Sequence, residues 1–316
     1  MHVLITGGAG FIGSHLVEYY LSQQHTVHVI DNFSTGIIEN LQEFQQNQNF
    51  SITHADILTY SELDFLVAQA DCIYHMAAVV GVLRVIANEQ DLLETNILGT
   101  ERLLRAAKIS TKKPRILLAS TSEVYGESEH GVSPETDSLI IGKGKKNCAA
   151  YVVSKIALEY FSLAYYKNYG LPITVLRIFN TIGPRQLGHY GMVVPRFIQY
   201  ALNQQPILVH GTGVQTRSFC DVRDLVIIMD RLVTSSAAIG QILNIGQDQE
   251  VSINALALLV KELTNSASEI QHITYEQVYG EGFTDCMARR PDLTKLQNII
   301  NYAYQWDLKT TLMNLI

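Results

Sequence analysis

No lysine or arginine precedes Arg84 in this chain of 316 residues, although the same stretch carries Glu18, Asp31, Glu39, Glu43, Asp56, Glu62, Asp64 and Asp71. An anion held in this region has to be held by backbone N–H groups. Cysteine is scarce too: Cys72, Cys148, Cys220 and Cys286 show no CxxC or histidine-pair spacing, which excludes a disulfide framework and a zinc site. We expect reduced thiols and no metal. There is no apolar run near the ~18 residues that a membrane helix needs. The N-terminal run His2 to Ile5 feeds a glycine turn without a basic flank or cleavage site, so a cytoplasmic, non-secreted protein is expected. A formal charge of −7 argues against broad binding to nucleic acid or a membrane surface.

What is present is a chain with 47% hydrophobic residues, enough for a large core. Short β-branched runs alternate with longer amphipathic stretches: His2 to Thr6, Ile12 to Leu21, Thr26 to Ile30, Ser51 to His54, Cys72 to Met76, Glu89 to Ala107, Ile116 to Ser120, Ala149 to Tyr169 and Ile173 to Ile178. That alternation predicts an α/β fold, a Rossmann-type doubly wound parallel sheet. Beyond Phe179 the pattern loosens around Gly183-Pro184, Gly188 to Gly191 and Gly211 to Gly213, and helical patterns return at Val222 to Val233 and Ile253 to Leu263. We read residues 1–179 as a dinucleotide-binding domain and 180–316 as a smaller C-terminal α/β substrate lobe, with a soft boundary that late segments can recross.

In TGGAGFIG, Gly7, Gly10 and Gly13 have GxxGxxG spacing between a strand and a helix. A tight turn and close approach of a diphosphate need residues without Cβ, and the helix start offers free N–H groups and partial positive charge. Asp31 ends the second strand-like run, where a carboxylate can accept both ribose hydroxyls of an adenosine and repels a 2′-phosphate. With no local cation, the cofactor expected is NAD. Asp56-Ile57 has two readings, a contact to the adenine amino group and a simple turn cap.

Tyr151 and Lys155 are four apart and share a helix face. A phenol with a pKa near 10 serves as a base near neutrality only if it is pulled down by roughly 4 kcal/mol, and an ammonium plus an oxidised nicotinamide supply the right charges. Thr121, at the end of a strand-like run, can donate or accept one more hydrogen bond at the hydroxyl that loses its proton. Tyr151 taken alone could be one more packed aromatic beside Tyr160, Phe161, Tyr165, Tyr166 and Tyr169. Arginines gather late, at Arg177, Arg185, Arg196, Arg217, Arg223, Arg289 and Arg290, so an anionic substrate is expected there. For Arg196, Arg223 and Arg290 a solvated surface charge is an equal reading.

The segments TGGAGFIGSHL, DNFSTG, YHMAA, TNILGT, STSEVYG, YVVSK, RIFNTIGPRQ, YGMVVPRFI, GTGVQTRSF and RRPDLTK, in this order, resemble the extended short-chain dehydrogenase/reductase family of nucleotide-sugar epimerases, dehydratases and decarboxylases over nearly the whole length. The resemblance implies tightly held NAD and transient oxidation at sugar C4. It implies NAD contacts at Gly7, Gly10, Phe11, Ile12, Gly13, Asp31, Asn32, Asp56, Ile57, Ala77, Ala78, Asn96, Ser120, Tyr151 and Lys155. Thr121, Tyr151 and Lys155 look catalytic, and Glu123 resembles the acid of the UDP-glucuronate decarboxylases. Ser122, Asn180, Arg185, Arg217 and Arg289 look like contacts to a nucleotide-diphosphate sugar.

Ser122 stands where 4,6-dehydratases place an Asp, which lowers that reading. CAAYVVSK lacks the Arg and YDExK of decarboxylases and looks like the YAxSK of epimerases. The expected activity is therefore 4-epimerisation of a UDP-hexose or UDP-hexuronic acid, with UDP-glucuronate decarboxylation second and a non-catalytic NAD-sensing regulator a distant alternative. A homodimer is expected from the family, paired through the long helices.

Overall fold

The computed structural model describes residues 1–80, 88–126, 131–141, 149–188, 192–280 and 285–316. Seven strands, β1 (His2–Thr6), β2 (Thr26–Asp31), β3 (Phe50–His54), β4 (Cys72–His75), β5 (Arg115–Thr121), β6 (Ile173–Ile178) and β7 (Ile242–Ile245), form one sheet in the order β7-β6-β5-β4-β1-β2-β3. Every neighbouring pair is parallel. Successive strand residues point to opposite faces, and here both faces are covered. Val3, Ile5, Val27 and Val29 pack with Leu16 and Val17 of α1 (Phe11–Ser22) and with Leu225 and Met229 of a late helix, Val222–Thr234. Leu4, Ile30, Ile73 and Ile116 pack on the other side with Leu103, Leu104 and Leu158. The doubly wound parallel sheet read from the sequence is thus observed. Its order reverses between β1 and β4, the point where such sheets open a crevice beyond their carboxyl ends.

The chain crosses between its two halves in both directions. β7 comes from beyond residue 179 and closes the large sheet, whereas Val132–Ser133 from the first half pairs with Ala288–Pro291 in a four-stranded sheet that also contains Thr216–Ser218 and Glu250–Ser252. A second apolar core, with Phe197, Val209, Leu256 and Val260, supports the late segments.

One expected helix is broken. The stretch from Glu89 to Ala107 is α2 (Glu89–Leu93), a π-helical turn (Glu94–Leu98) and α3 (Gly99–Ile109). The wider turn sets Asn96 inward, 1% exposed, where its side chain accepts from Val79 N at 2.8 Å and donates to Ser154 Oγ at 3.0 Å. Ser154 belongs to α4 (Ala149–Tyr169), so the turn is spent on docking α4 and the Val79 backbone. Among the described residues no helix is long and apolar enough to cross a membrane, and no His, Cys, Asp and Glu cluster could hold a metal. Cys72, Cys220 and Cys286 are buried free thiols. Cys148 and residues 189–191 of the glycine-rich turn lie outside the described residues.

Candidate active site

A cleft of about 610 Å³ opens at the reversal point and runs from the glycine turn into the late segments. Gly7 follows β1 with φ +72°, and a Cβ there would lie 2.7 Å from Ala77 N. At Gly13 a Cβ would lie 2.2 Å from Gly7 O. Neither position tolerates a side chain, so the turn, the start of α1 and the end of β4 stay in backbone contact. The N-cap of α1 is Gly10, without a side-chain cap, and Gly10, Phe11, Ile12 and Gly13 line the cleft. The first-turn N–H groups are therefore available to an anion.

Asp31, at the end of β2, is 7% exposed and accepts from Ala9 N and Phe33 N at 2.8 Å each, one bond per carboxylate oxygen. Burial raises its pKa and the two backbone bonds oppose that. Each oxygen keeps a lone pair for a further donor. Asn32 donates to Asp56 at 2.8 Å, and Asp56 accepts from Leu58 N at 2.8 Å, so Asp56 caps its turn while it and Ile57 also line the cleft. A glycine cradle, a free helix start and an acidic strand end that pairs with no Lys or Arg among the described residues are the donor set that fits NAD and disfavours a 2′-phosphate.

Next along the cleft, Lys155 lies one turn after Tyr151 on α4, with Nζ 5.9 Å from the tyrosine ring centre. Lys155 is 3% exposed and donates to Ala119 O at 2.8 Å. Burial pulls its pKa down to about 8, and the Glu159 carboxylate opposes the fall. Ser120 and Thr121 end β5, followed by a turn over Ser122–Tyr125 whose first N–H groups include Glu123 N, bonded to Thr121 Oγ1 at 3.3 Å. Ser120, Thr121, Ser122, Glu123, Tyr151 and Lys155 all line the cleft with Ala77 and Ala78. Asn96 does not, because its side chain is used as described above. A phenol, an ammonium and a hydroxyl thus line the same cleft, the groups that proton removal from an alcohol uses.

Of the late arginines, Arg185, Arg196, Arg217 and Arg289 line the cleft, as does Asn180. Arg217 donates to Asp285 at 2.7 Å, and Arg289 lies 3.6 Å from Glu123. Arg185 has φ +66° and pairs with Glu18 at 2.7 Å and Glu43 at 3.1 Å, tying the late chain to the acidic first lobe. Three of the seven late arginines, among them Arg223 and Arg290 for which a surface charge is the equal reading from sequence, do not line the cleft. Arg177 is buried against Glu159 at 2.8 Å, Arg223 pairs with Asp221 at 2.6 Å and stacks on Trp306, and Arg290 lies 3.7 Å from Glu250. Charge alone does not distinguish an arginine facing a ligand from one answering a carboxylate of its own fold.

The far end of the cleft was not foreseen. His210, Gln215, Tyr275, Tyr279 and Asp285 line it, and Gln215 Nε2 donates to Tyr275 Oη at 2.9 Å and to His210 O at 3.0 Å. The available signal was the i, i+4 pair Tyr275 and Tyr279 on a short helix with no buried residue.

The NAD dependent epimerase/dehydratase family matches residues 3–246. A UDP-N-acetyl-alpha-D-glucosaminuronate decarboxylase of Bacillus cytotoxicus is 40% identical, over 98% of this chain and 96% of that protein. UDP-glucuronic acid decarboxylase 1 of Xenopus tropicalis is 37% identical, over 95% and 68%. Among solved structures, a UDP-glucuronic acid 4-epimerase of Bacillus cereus with UDP-glucuronic acid and NAD superposes with TM-score 0.86 at 28% identity, covering 99% of this chain and 96% of that one.

Proposed function

The chain belongs to the NAD dependent epimerase/dehydratase family and is an NAD-dependent enzyme of nucleotide sugars, and on that footing we propose that it decarboxylates a UDP-linked hexuronic acid. The carrying observation is the Glu123–Arg289 pair, 3.6 Å apart in the cleft that Thr121 and Tyr151 also line. Bound NAD supplies the acceptor that takes the C4 hydrogen and later returns it. Tyr151 takes the proton of the C4 hydroxyl, with Lys155 stabilising the phenolate and Thr121 holding the hydroxyl oxygen. The C5 carboxylate then lies β to a ketone. The C5–C6 bond breaks, neutral carbon dioxide leaves, and the electron pair moves onto the C4 oxygen, where Tyr151 and Thr121 donate hydrogen bonds. Protonation at C5 and reduction at C4 complete a UDP-pentose.

Arg289 and Glu123 suit this step in opposite ways. The guanidinium draws in the sugar carboxylate, but a fully committed cation would stabilise a charge that disappears in the transition state. Glu123 competes for that guanidinium and so limits the ground-state stabilisation. We assign Arg217 and Asn180 to the diphosphate, with Arg289 between it and the sugar.

The 4-epimerase expected from the sequence stays as a second reading. It is supported by the YVVSK segment and by the likeness to the UDP-glucuronic acid 4-epimerase structure. Incubation with UDP-glucuronate and with UDP-N-acetylglucosaminuronate separates the two: release of carbon dioxide supports decarboxylation, and an isomer of unchanged mass replaces it with epimerisation. We further propose a homodimer paired over the exposed apolar residues Val153 and Tyr160 of α4 and Leu98 beside it, Tyr160 being 68% exposed. A monomer by light scattering at micromolar concentration would contradict this pairing.

A further inference from the structure

Tyr151, Lys155 and Glu159 follow one another at intervals of four on α4, so they form a single stripe facing β5 and β6. Glu159 is 2% exposed, and three donors converge on it: Arg177 Nε at 2.9 Å, Arg177 Nη2 at 2.8 Å and Ser120 Oγ at 2.6 Å. Ser120 and Arg177 are register partners on β5 and β6, so both strands present their donor at the same level. Arg177 is fixed from its far side as well, donating to Tyr125 Oη at 2.9 Å, which donates in turn to Asn244 Oδ1 of β7 at 2.7 Å. A buried Arg–Glu pair is poor stabilising design, because an apolar pair of similar volume serves as well or better. Its placement one turn beyond Lys155, with a hydroxyl of the cleft wall bonded to it, calls for another reason.

We propose that Glu159, clamped by Arg177, is a positioning residue for the reaction: the counter-charge that keeps the buried Lys155 an ammonium beside Tyr151, and the acceptor that turns the Ser120 hydroxyl so that its lone pairs face the cleft. This rests on Tyr151 and Lys155 being the proton-transfer pair, and it is independent of whether decarboxylation or epimerisation follows. Among the described residues, the titratable groups on this stripe and on the strands and turn it faces include these. On α4 they are Tyr151 and Glu159. On β6 there is Arg177, on the turn after β5 there are Glu123 and Tyr125, and on β4 there is His75, held neutral with its pKa lowered to about 3 by burial and by the Lys155 charge. Glu159 is the only one of these that the electrostatics single out as raising the Lys155 pKa, against the burial that lowers it.

The test is a pH titration of the Lys155 side chain in NAD-bound protein carrying ¹³C-labelled lysine, with its Cε signal assigned by its absence from Lys155→Met. In Glu159→Gln the Lys155 midpoint should fall by roughly one pH unit or more, since an opposite charge has gone and Arg177 remains. Glu159→Gln/Arg177→Met, which leaves no uncompensated buried charge, should lie between that variant and the wild type. It also decides the matter if the single variant fails to fold. With UDP-glucuronate as probe, the whole bell-shaped rate profile should slide to lower pH, because tyrosine and lysine both lose a nearby negative charge. A purely structural role would lower the plateau without moving it. An unshifted Lys155 midpoint in a folded, NAD-binding variant overturns the proposal even if no UDP-sugar is turned over, so the two readings fail separately.

Discussion

Arg217 and Arg289 are register partners on adjacent parallel strands, and each faces a carboxylate of the protein, Asp285 at 2.7 Å and Glu123 at 3.6 Å. The small sheet therefore presents two cations side by side whose charge is already shared, and an incoming anion competes for them. In Arg217→Ala, UDP should bind the NAD-loaded protein more weakly by about 2 kcal/mol, the range of a charged hydrogen bond, as read by titration calorimetry. Unchanged UDP affinity would remove Arg217 from the diphosphate site.

Glu123→Gln frees Arg289 for the substrate carboxylate. UDP-glucuronate should then bind more tightly while kcat for carbon dioxide release falls by about 10- to 100-fold, because the ground state gains what the transition state cannot use. Steady-state kinetics with carbon dioxide detection give both numbers. A variant that releases carbon dioxide at the full rate contradicts the role given to this carboxylate.

Tyr151→Phe should reduce turnover by about 10²- to 10⁴-fold, the usual worth of a positioned acid–base group. NAD content of the purified variant should be unchanged, since the glycine turn and Asp31 are untouched. Loss of NAD along with activity would make Tyr151 a cofactor anchor instead.

Much of this was legible in advance. GxxGxxG, Asp31 and the Tyr151–Lys155 spacing could be read because each depends on local geometry: a turn without Cβ, the end of a strand, one face of a helix. The doubly wound sheet followed from alternating runs for the same reason, and the helices Ala149–Tyr169 and Ile253–Leu263 have the expected bounds. What stayed hidden depends on partners distant in sequence. Arg177 looked like a ligand arginine until Glu159, reaching it from the neighbouring layer, was seen. Asn96, a cofactor contact by the resemblance, is set away from the cleft lining by a π turn that leaves no mark in hydrophobic periodicity. The pairing of Glu123 with Arg289 joins residues 166 positions apart, from 123 to 289, through a strand that the small sheet takes from each half of the chain.

Acid should weaken the fold through His75. Its Nδ1 lies 2.7 Å from Thr6 Oγ1 and its Nε2 3.0 Å from Thr100 Oγ1. Thr100 spends its proton on Asn96 O at 2.7 Å, so Nε2 must donate and Nδ1 must accept from Thr6. Burial lowers the folded pKa from 6.5 to about 3, so the unfolded chain binds the proton more tightly. The stability linked to this group is complete above its unfolded pKa and is lost as pH falls from there towards the folded value. His75→Gln, which does not titrate, should show a smaller drop in melting temperature between about pH 7 and pH 5 than the wild type. Equal drops would show that other groups dominate.

The central claim is tested most directly by running the reaction of NAD-loaded enzyme with UDP-glucuronate, and separately with UDP-N-acetylglucosaminuronate, in deuterium oxide and analysing the product by mass and proton spectra. The account predicts a UDP-pentose product that has lost carbon dioxide, carries one solvent deuterium at C5 and retains its original hydrogen at C4. A product of unchanged mass without deuterium at C5, inverted at C4, would contradict it and make the enzyme a 4-epimerase.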